Sequence, residues 1–281
     1  MTTFQVLIES FLKALTTVLP VSGTAVEALT HALLNWSLPV SEIELLIYTT
    51  ASFVFLVFFR YDWLGLISAG ITSVFRPLSL RGESRSLDQH TLIFILIAFF
   101  PPRFFELFLG TALLESGLAP RPVLAGTGLL ITGFAFLASS RWNKRIHGLN
   151  HLRLVHALAL AGAGVLSVVP GFPAVGLLWI AFAFCNYHYE AIFKYTGLLI
   201  GLGIFSKTIG ILQNQSFRDA FEQIGYLNSG AVFVIAITVI WISLENFQKS
   251  LSESTFKNFQ WLSLITGAAL IALFFLDKLP E

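Results

Sequence analysis

Six stretches of this chain stay apolar for about the length of a membrane crossing, with short polar loops between them: about 43–59, 91–109, 122–138, 191–212, 230–244 and 259–276. A helix needs about 20 predominantly apolar residues to cross the hydrocarbon core, whereas a barrel would give shorter segments of alternating polarity. Composition supports the helical reading. Apolar residues make up 56% of the 281 residues and charged ones only 12%, against about 25% charged in a soluble domain. So few charges do not cover the surface of a soluble protein of this size. The expected fold is an all-α, polytopic membrane protein. A further piece, 63–75, falls just short of spanning length and can tilt or lie shallow.

Two other apolar regions, 4–36 and 154–186, are broken near their middles by proline and glycine. The first break reads Leu19-Pro20-Val21-Ser22-Gly23-Thr24, and the second Val169-Pro170-Gly171-Phe172-Pro173. Each half is too short to span, while each pair is long enough to enter the bilayer and turn back. Broken helices at membrane depth persist only where protein or a water-filled cavity satisfies the freed backbone groups. Two breaks in corresponding places predict inverted repeats with two re-entrant pairs, and they point to a binding site between them. The expected organisation is one integral membrane domain over 1–281, with repeat halves of roughly 1–140 and 141–281.

Charge excludes other classes. A net charge of +1 gives no general reason to bind nucleic acid. The single Cys185 excludes a disulfide framework and a cysteine-based metal centre. The N-terminus lacks the basic region and small-residue cleavage site of a removable signal peptide. Arg76, Arg81 and Arg85 in 76–90, and Arg141, Lys144, Arg145 and Arg153 in 141–153, place those loops on the cytoplasmic side. The 213–228 loop, with one arginine and two acids, suits the outside.

At the two breaks the chain resembles the bacterial undecaprenyl-diphosphate phosphatase family of the bacitracin-resistance type. That family's first motif looks like E-x-x-x-E-F-L-P-[IV]-S-S-T-G-H. The matching stretch here runs from Lys13 through Thr17, Pro20, Ser22, Gly23 and Thr24 to Val26. The second motif looks like P-G-[FT]-S-R-S-G, and the stretch here is Pro170-Gly171-Phe172-Pro173-Ala174-Val175-Gly176. The likeness covers nearly the whole chain, including the second span that ends at Arg60 and the glycine-rich 125–133 segment. It implies a polyprenyl phosphate or diphosphate lipid as partner, surrounding membrane lipids, a multi-pass location in the bacterial inner (cytoplasmic) membrane, and a possible homodimer.

For activity the same comparison implies a loss. The family's two motif glutamates, its histidine and its second-motif arginine are matched here by Lys13, Thr17, Val26 and Ala174. Cleaving a phosphoanhydride needs charge stabilisation on the transferring oxygens and a base or nucleophile within reach. Losing one such group costs on the order of 3 kcal/mol of transition-state stabilisation. A non-hydrolytic binder or transporter of lipid phosphate is therefore expected. The alternative is an active phosphatase with relocated catalytic groups. Its candidates are Ser22, which is first of all a helix N-cap, and Glu27 with His31, an i, i+4 pair that can also satisfy itself. The expected lipid-phosphate-binding set is Lys13, Thr17, Ser22, Gly23, Thr24, Pro170 and Gly171, with no metal site and no cofactor.

Charged residues in membrane segments are functional suspects by default. Glu9 and Lys13 lie one turn apart and are expected to satisfy each other. Arg103 and Glu106 follow Pro101-Pro102 inside a span, as an internal ion pair or a headgroup contact. His156, Lys194 and Lys207 also lie in or near spans. Lys13 and Lys194 both stand where the family has acids, a reversal consistent with holding an anion without cleaving it.

Overall fold

A computed structural model describes residues 2–34, 40–75, 87–115, 122–169, 171–213 and 216–275. Its described residues form twelve helices and no strand. Thr2 opens α1 (Thr3–Val18) with a capping box, its hydroxyl accepting from the Gln5 amide while the Gln5 side chain accepts from the Thr2 amide. Leu19 is extended, as the residue before a proline tends to be, and α1 stops there. The chain re-enters a helix at α2 (Gly23–Leu34), where Ser22 accepts from the Ala25 amide at 3.3 Å as N-cap. At the second break α7 (Leu154–Leu166) ends on a helical Ser167 cap, and α8 (Ala174–Phe184) restarts after Pro173 without a side-chain cap. At 11 residues α8 is about 17 Å long, well short of the roughly 30 Å hydrocarbon core.

Five helices are long and apolar enough to cross a membrane: α5 (Leu87–Glu115), α6 (Pro122–Trp142), α9 (Tyr189–Leu212), α11 (Tyr226–Ser250) and α12 (Glu253–Phe275). A sixth candidate is the pair α3 (Val40–Phe58) and α4 (Arg60–Phe75), bent by 81° between them. The 43–59 stretch expected as an independent span is thus one arm of a bent pair, and 63–75 is the other. The short α10 (Phe217–Ile224) completes the set and packs against α3 and α11. Large apolar side chains such as Phe100, Phe104, Leu107, Phe134 and Trp261 point outward from the long helices. In water such faces would be a liability; here they are the lipid contact of a multi-pass membrane protein.

The two breaks come together. A Cβ added at Gly176, on the first turn of α8, would stand 3.2 Å from the Pro20 carbonyl oxygen. Gly171 sits at φ +94°, and a Cβ there would lie 2.4 Å from Ala125 Cα, so the second break is pressed against α6. Helices distant in the chain pair with one another: α1 lies on α11 and α7 on α5, while α3 packs on α9 and α6 on α12. The buried core runs through the middle of this arrangement, with Val6, Phe55, Trp179, Tyr195 and Ala236 among its members.

Candidate functional site

Lys13 is at the centre of the site. It faces inward from α1, only 6% exposed, and Nζ lies 3.0 Å from Glu27 Oε2 on α2. It also pairs with Glu44 Oε1 on α3. Three helices are tied to one ammonium. A lysine is almost never buried this deeply without such partners. Lys13 thus reaches across to α2 and α3 for these ion pairs, and Glu27 is engaged by Lys13. Glu9 is itself 2% exposed, one turn earlier on α1. The Tyr48 hydroxyl donates to Glu44 Oε1 at 3.4 Å, extending the cluster along α3.

Around the first break, hydroxyls mostly serve the backbone. Thr17 donates to the Lys13 carbonyl at 2.8 Å and Thr16 to the same oxygen at 3.1 Å. Ser22 is 4% exposed, and its Oγ lies 3.0 Å from Thr24 Oγ1. Gly23 presses on Thr16, where a Cβ would meet Oγ1 at 3.2 Å. Of the expected binding set, Lys13, Thr17, Ser22, Gly23 and Thr24 cluster at the end of α1 and the start of α2, and Gly171 lies at the second break against α6. Pro170 lies outside the described residues. His31 is on α2, and its side chain is likewise outside them. No general base is placed on Ser22 Oγ by the described side chains: its contacts are Thr24 Oγ1 and the Ala25 amide.

Beside Thr17, a narrow, partly open cleft with about 20 Å³ of room runs between α1, α3, α8, α9 and α11. Thr17, Val175 and Trp179 line it, together with Phe55 and Thr196. Thr196 is 3% exposed, and its Oγ1 has no hydrogen-bond partner among the described residues. Val175 lies on the first turn of α8, just after the second break. The cleft therefore touches both breaks, with an apolar wall suited to a hydrocarbon chain.

Other intramembrane charges fall into separate pairs. Arg103 Nη1 donates to Glu106 Oε2 within α5. Lys194 pairs with Asp62 at 2.5 Å, far along α9 from the Lys13 cluster, beside a second cleft lined by Asp88, Thr91 and Asn150. Lys207 Nζ stands 5.9 Å from the Tyr48 ring centre, at the Lys13 end. Among the described residues no group of three or more His, Cys, Asp or Glu side chains is arranged to hold a metal ion.

Sequence reasoning missed a histidine cluster in the 141–153 segment. His147 and His151 stack with ring centres 3.7 Å apart and planes 6° from parallel. His156 Nδ1 lies 3.0 Å from the Tyr187 hydroxyl, which itself donates to the His151 carbonyl. Desolvation, with the nearby His151 and Arg153 charges, lowers the His147 pKa from its ordinary value. The i, i+4 spacing of His147 and His151 was visible, but nothing in the sequence tied either to Tyr187.

Two half-spanning broken helices that meet inside a bundle of five or six candidate spans, with a buried charge cluster at the junction, define a helical membrane protein and make the breaks its candidate site. The chain belongs to the family described as bacitracin resistance protein BacA, whose model it matches over residues 6–269. Similar proteins include an undecaprenyl-diphosphatase of Gemmatimonas aurantiaca, 29% identical over 176 residues, 63% of each chain. Another, an undecaprenyl-diphosphatase of Alcanivorax borkumensis, is 24% identical over 273 residues, 95% of this chain and 97% of the relative.

Proposed function

We propose that this protein binds a polyprenyl phosphate or diphosphate lipid in the cytoplasmic membrane and moves or presents it without hydrolysing it. The family and the names of its relatives supply the ligand class. One observation carries the rest: the Lys13 ammonium at the first break is held by two carboxylates, Glu27 and Glu44. A lysine so engaged holds three helices together and is not poised to stabilise a departing phosphate. Ser22 and Thr17 are used in capping and backbone contacts, and Ala174 offers nothing to a transferring phosphoryl group. The apolar lining of the cleft that touches both breaks supports a hydrocarbon ligand, which the cleft admits only by widening.

The reciprocal pairing of α1 with α11 and α7 with α5 supports reading the chain as one domain of two inverted halves, about 1–140 and 141–281. Each half opens with a re-entrant pair. Rocking of one half against the other about the crossed α3–α9 and α6–α12 pairs gives alternating access to the cleft. The test is phosphate release from undecaprenyl diphosphate by the purified protein, with and without divalent cations, beside an active relative. The proposal expects no release above the protein-free background. Release that is abolished by Ser22→Ala would instead establish a phosphatase rebuilt around the first break.

A further inference from the structure

An anionic headgroup needs a cation that is not already consumed, and the Lys13 cluster supplies none. Three buried or half-buried carboxylates, Glu9, Glu27 and Glu44, share that end of α1 to α3 with one lysine. The available positive charge lies on the neighbouring seam between α5 and α9.

Arg103 emerges directly after Pro101-Pro102, and its guanidinium rests on α9 at Gly203. A Cβ added at Gly203 would stand 2.8 Å from Arg103 Nη2. Only glycine leaves room for the group to lie there. The Phe99 ring supports it from α5, with Cζ 5.6 Å from the ring centre. A guanidinium carries five N–H donors. Nη1 is given to Glu106, whereas Nε is buried and has no acceptor among the described residues. The arginine is thus firmly seated and only partly satisfied, and the Glu106 carboxylate holds the place that a phosphate oxygen would take.

Lys207 follows Gly203 by four residues, about 6 Å farther along α9. It is exposed and makes no ion pair among the described residues. Its ammonium stands over Tyr48, whose hydroxyl reaches Glu44, so the seam connects directly with the charge cluster at the first break. Phe100, Phe104 and Leu107 on α5 are exposed to lipid.

We propose that Arg103, seated on α9 at Gly203, and Lys207, one turn farther along α9 beside Tyr48, form a docking site for a lipid phosphate headgroup. The ligand enters laterally with its hydrocarbon chain along the outer face of α5. Its phosphate displaces Glu106 from Nη1, reaches the unpaired Nε, and is held from the other side by Lys207. Arginine suits this role because its planar fork grips two phosphate oxygens at once. This inference rests on the reading that the protein handles a lipid phosphate, and it says where the headgroup is first received.

The test uses the full-length protein in neutral phosphatidylcholine nanodiscs, titrated with a C55 polyprenyl monophosphate and, in a second arm, with inorganic phosphate. Bound lipid is read by native mass spectrometry. Arg103→Gln and Lys207→Gln should each weaken binding of the lipid about tenfold or more. Gly203→Ala, which leaves every charge in place, should weaken it as well by unseating the guanidinium. Glu106→Gln should tighten binding several-fold, a gain that a misfolded variant cannot produce. Binding within twofold of wild type in both Arg103→Gln and Lys207→Gln overturns the site while leaving the proposed function standing. A loss in Glu106→Gln equal to that in Arg103→Gln reduces the pair to a structural ion pair and also overturns the site. Inorganic phosphate binding as tightly as the lipid overturns the lipid assignment. No lipid binding by the wild type overturns both this site and the function it serves.

Discussion

Replacing Lys13 by alanine removes the ammonium that three helices share and leaves Glu27 and Glu44 facing one another inside the protein. Lys13 is 6% exposed, Glu27 14% and Glu44 27%, so solvent does little to screen the loss. Breaking a buried ion pair from one side costs about 3–5 kcal/mol, because the uncompensated charge stays behind. For a chain of this size, 1 kcal/mol moves the melting midpoint by about 2–4 °C, so Lys13→Ala should melt about 6–20 °C below wild type. The assay is thermal unfolding in detergent, followed by intrinsic tryptophan fluorescence and checked by size-exclusion chromatography. The triple variant Lys13→Met, Glu27→Gln, Glu44→Gln removes all three charges and should recover most of the loss, since uncharged groups of similar volume can replace a buried ion network at little cost. A Lys13→Ala protein melting within about 2 °C of wild type would refute the reasoning. So would a triple variant no more stable than the single one.

Other positions give independent outcomes. Gly171→Ala combines a left-handed backbone with a Cβ 2.4 Å from Ala125 Cα, and should destabilise the protein by about 2–5 kcal/mol, seen as a lower melting midpoint. Gly176→Leu should separate the two breaks, because its Cβ already stands 3.2 Å from the Pro20 oxygen; a disulfide-free crosslink between cysteines placed at Val21 and Val175 would then form more slowly than in the parent. The folded state lowers the His147 pKa through desolvation and the neighbouring His151 and Arg153. Its neutral form is therefore the stabilised one, so its contribution is present above the ordinary histidine value of about 6.5 and is lost as pH falls below it. With the intrinsic pH dependence of amide exchange divided out, protection in 147–153 should fall at pH 5 relative to pH 7, and His147→Ala should flatten that difference.

Much of the fold was legible because apolar length and proline position act locally. Pro20 makes Leu19 extended, and the chain restarts at the Ser22 cap whatever lies around it. At the second break α7 ends at a helical Ser167 cap and α8 restarts after Pro173 with no side-chain cap, so only the restart is tied to a proline. The 81° bend at Phe59 was not legible, because neither proline nor glycine marks it: α3 and α4 turn where Phe59 packs against α9, with a Cβ at Gly197 calculated to fall 2.2 Å from its ring. At the site, sequence spacing suggested pairs within one helix, Glu9 with Lys13 and Glu27 with His31. Lys13 takes its partners from α2 and α3, a choice fixed by how the helices cross and invisible to i, i+4 counting. The seat of Arg103 on Gly203 joins positions a hundred residues apart, and only the α5–α9 contact reveals it.

The most direct measurement is a ³¹P NMR time course on undecaprenyl diphosphate in nanodiscs carrying a molar equivalent of the protein, with divalent cation added midway. A binder that does not cleave shifts or broadens the diphosphate resonances and leaves their total intensity constant before and after the addition. Growth of monophosphate and inorganic phosphate signals beyond those of empty discs would contradict the account and make the protein a phosphatase.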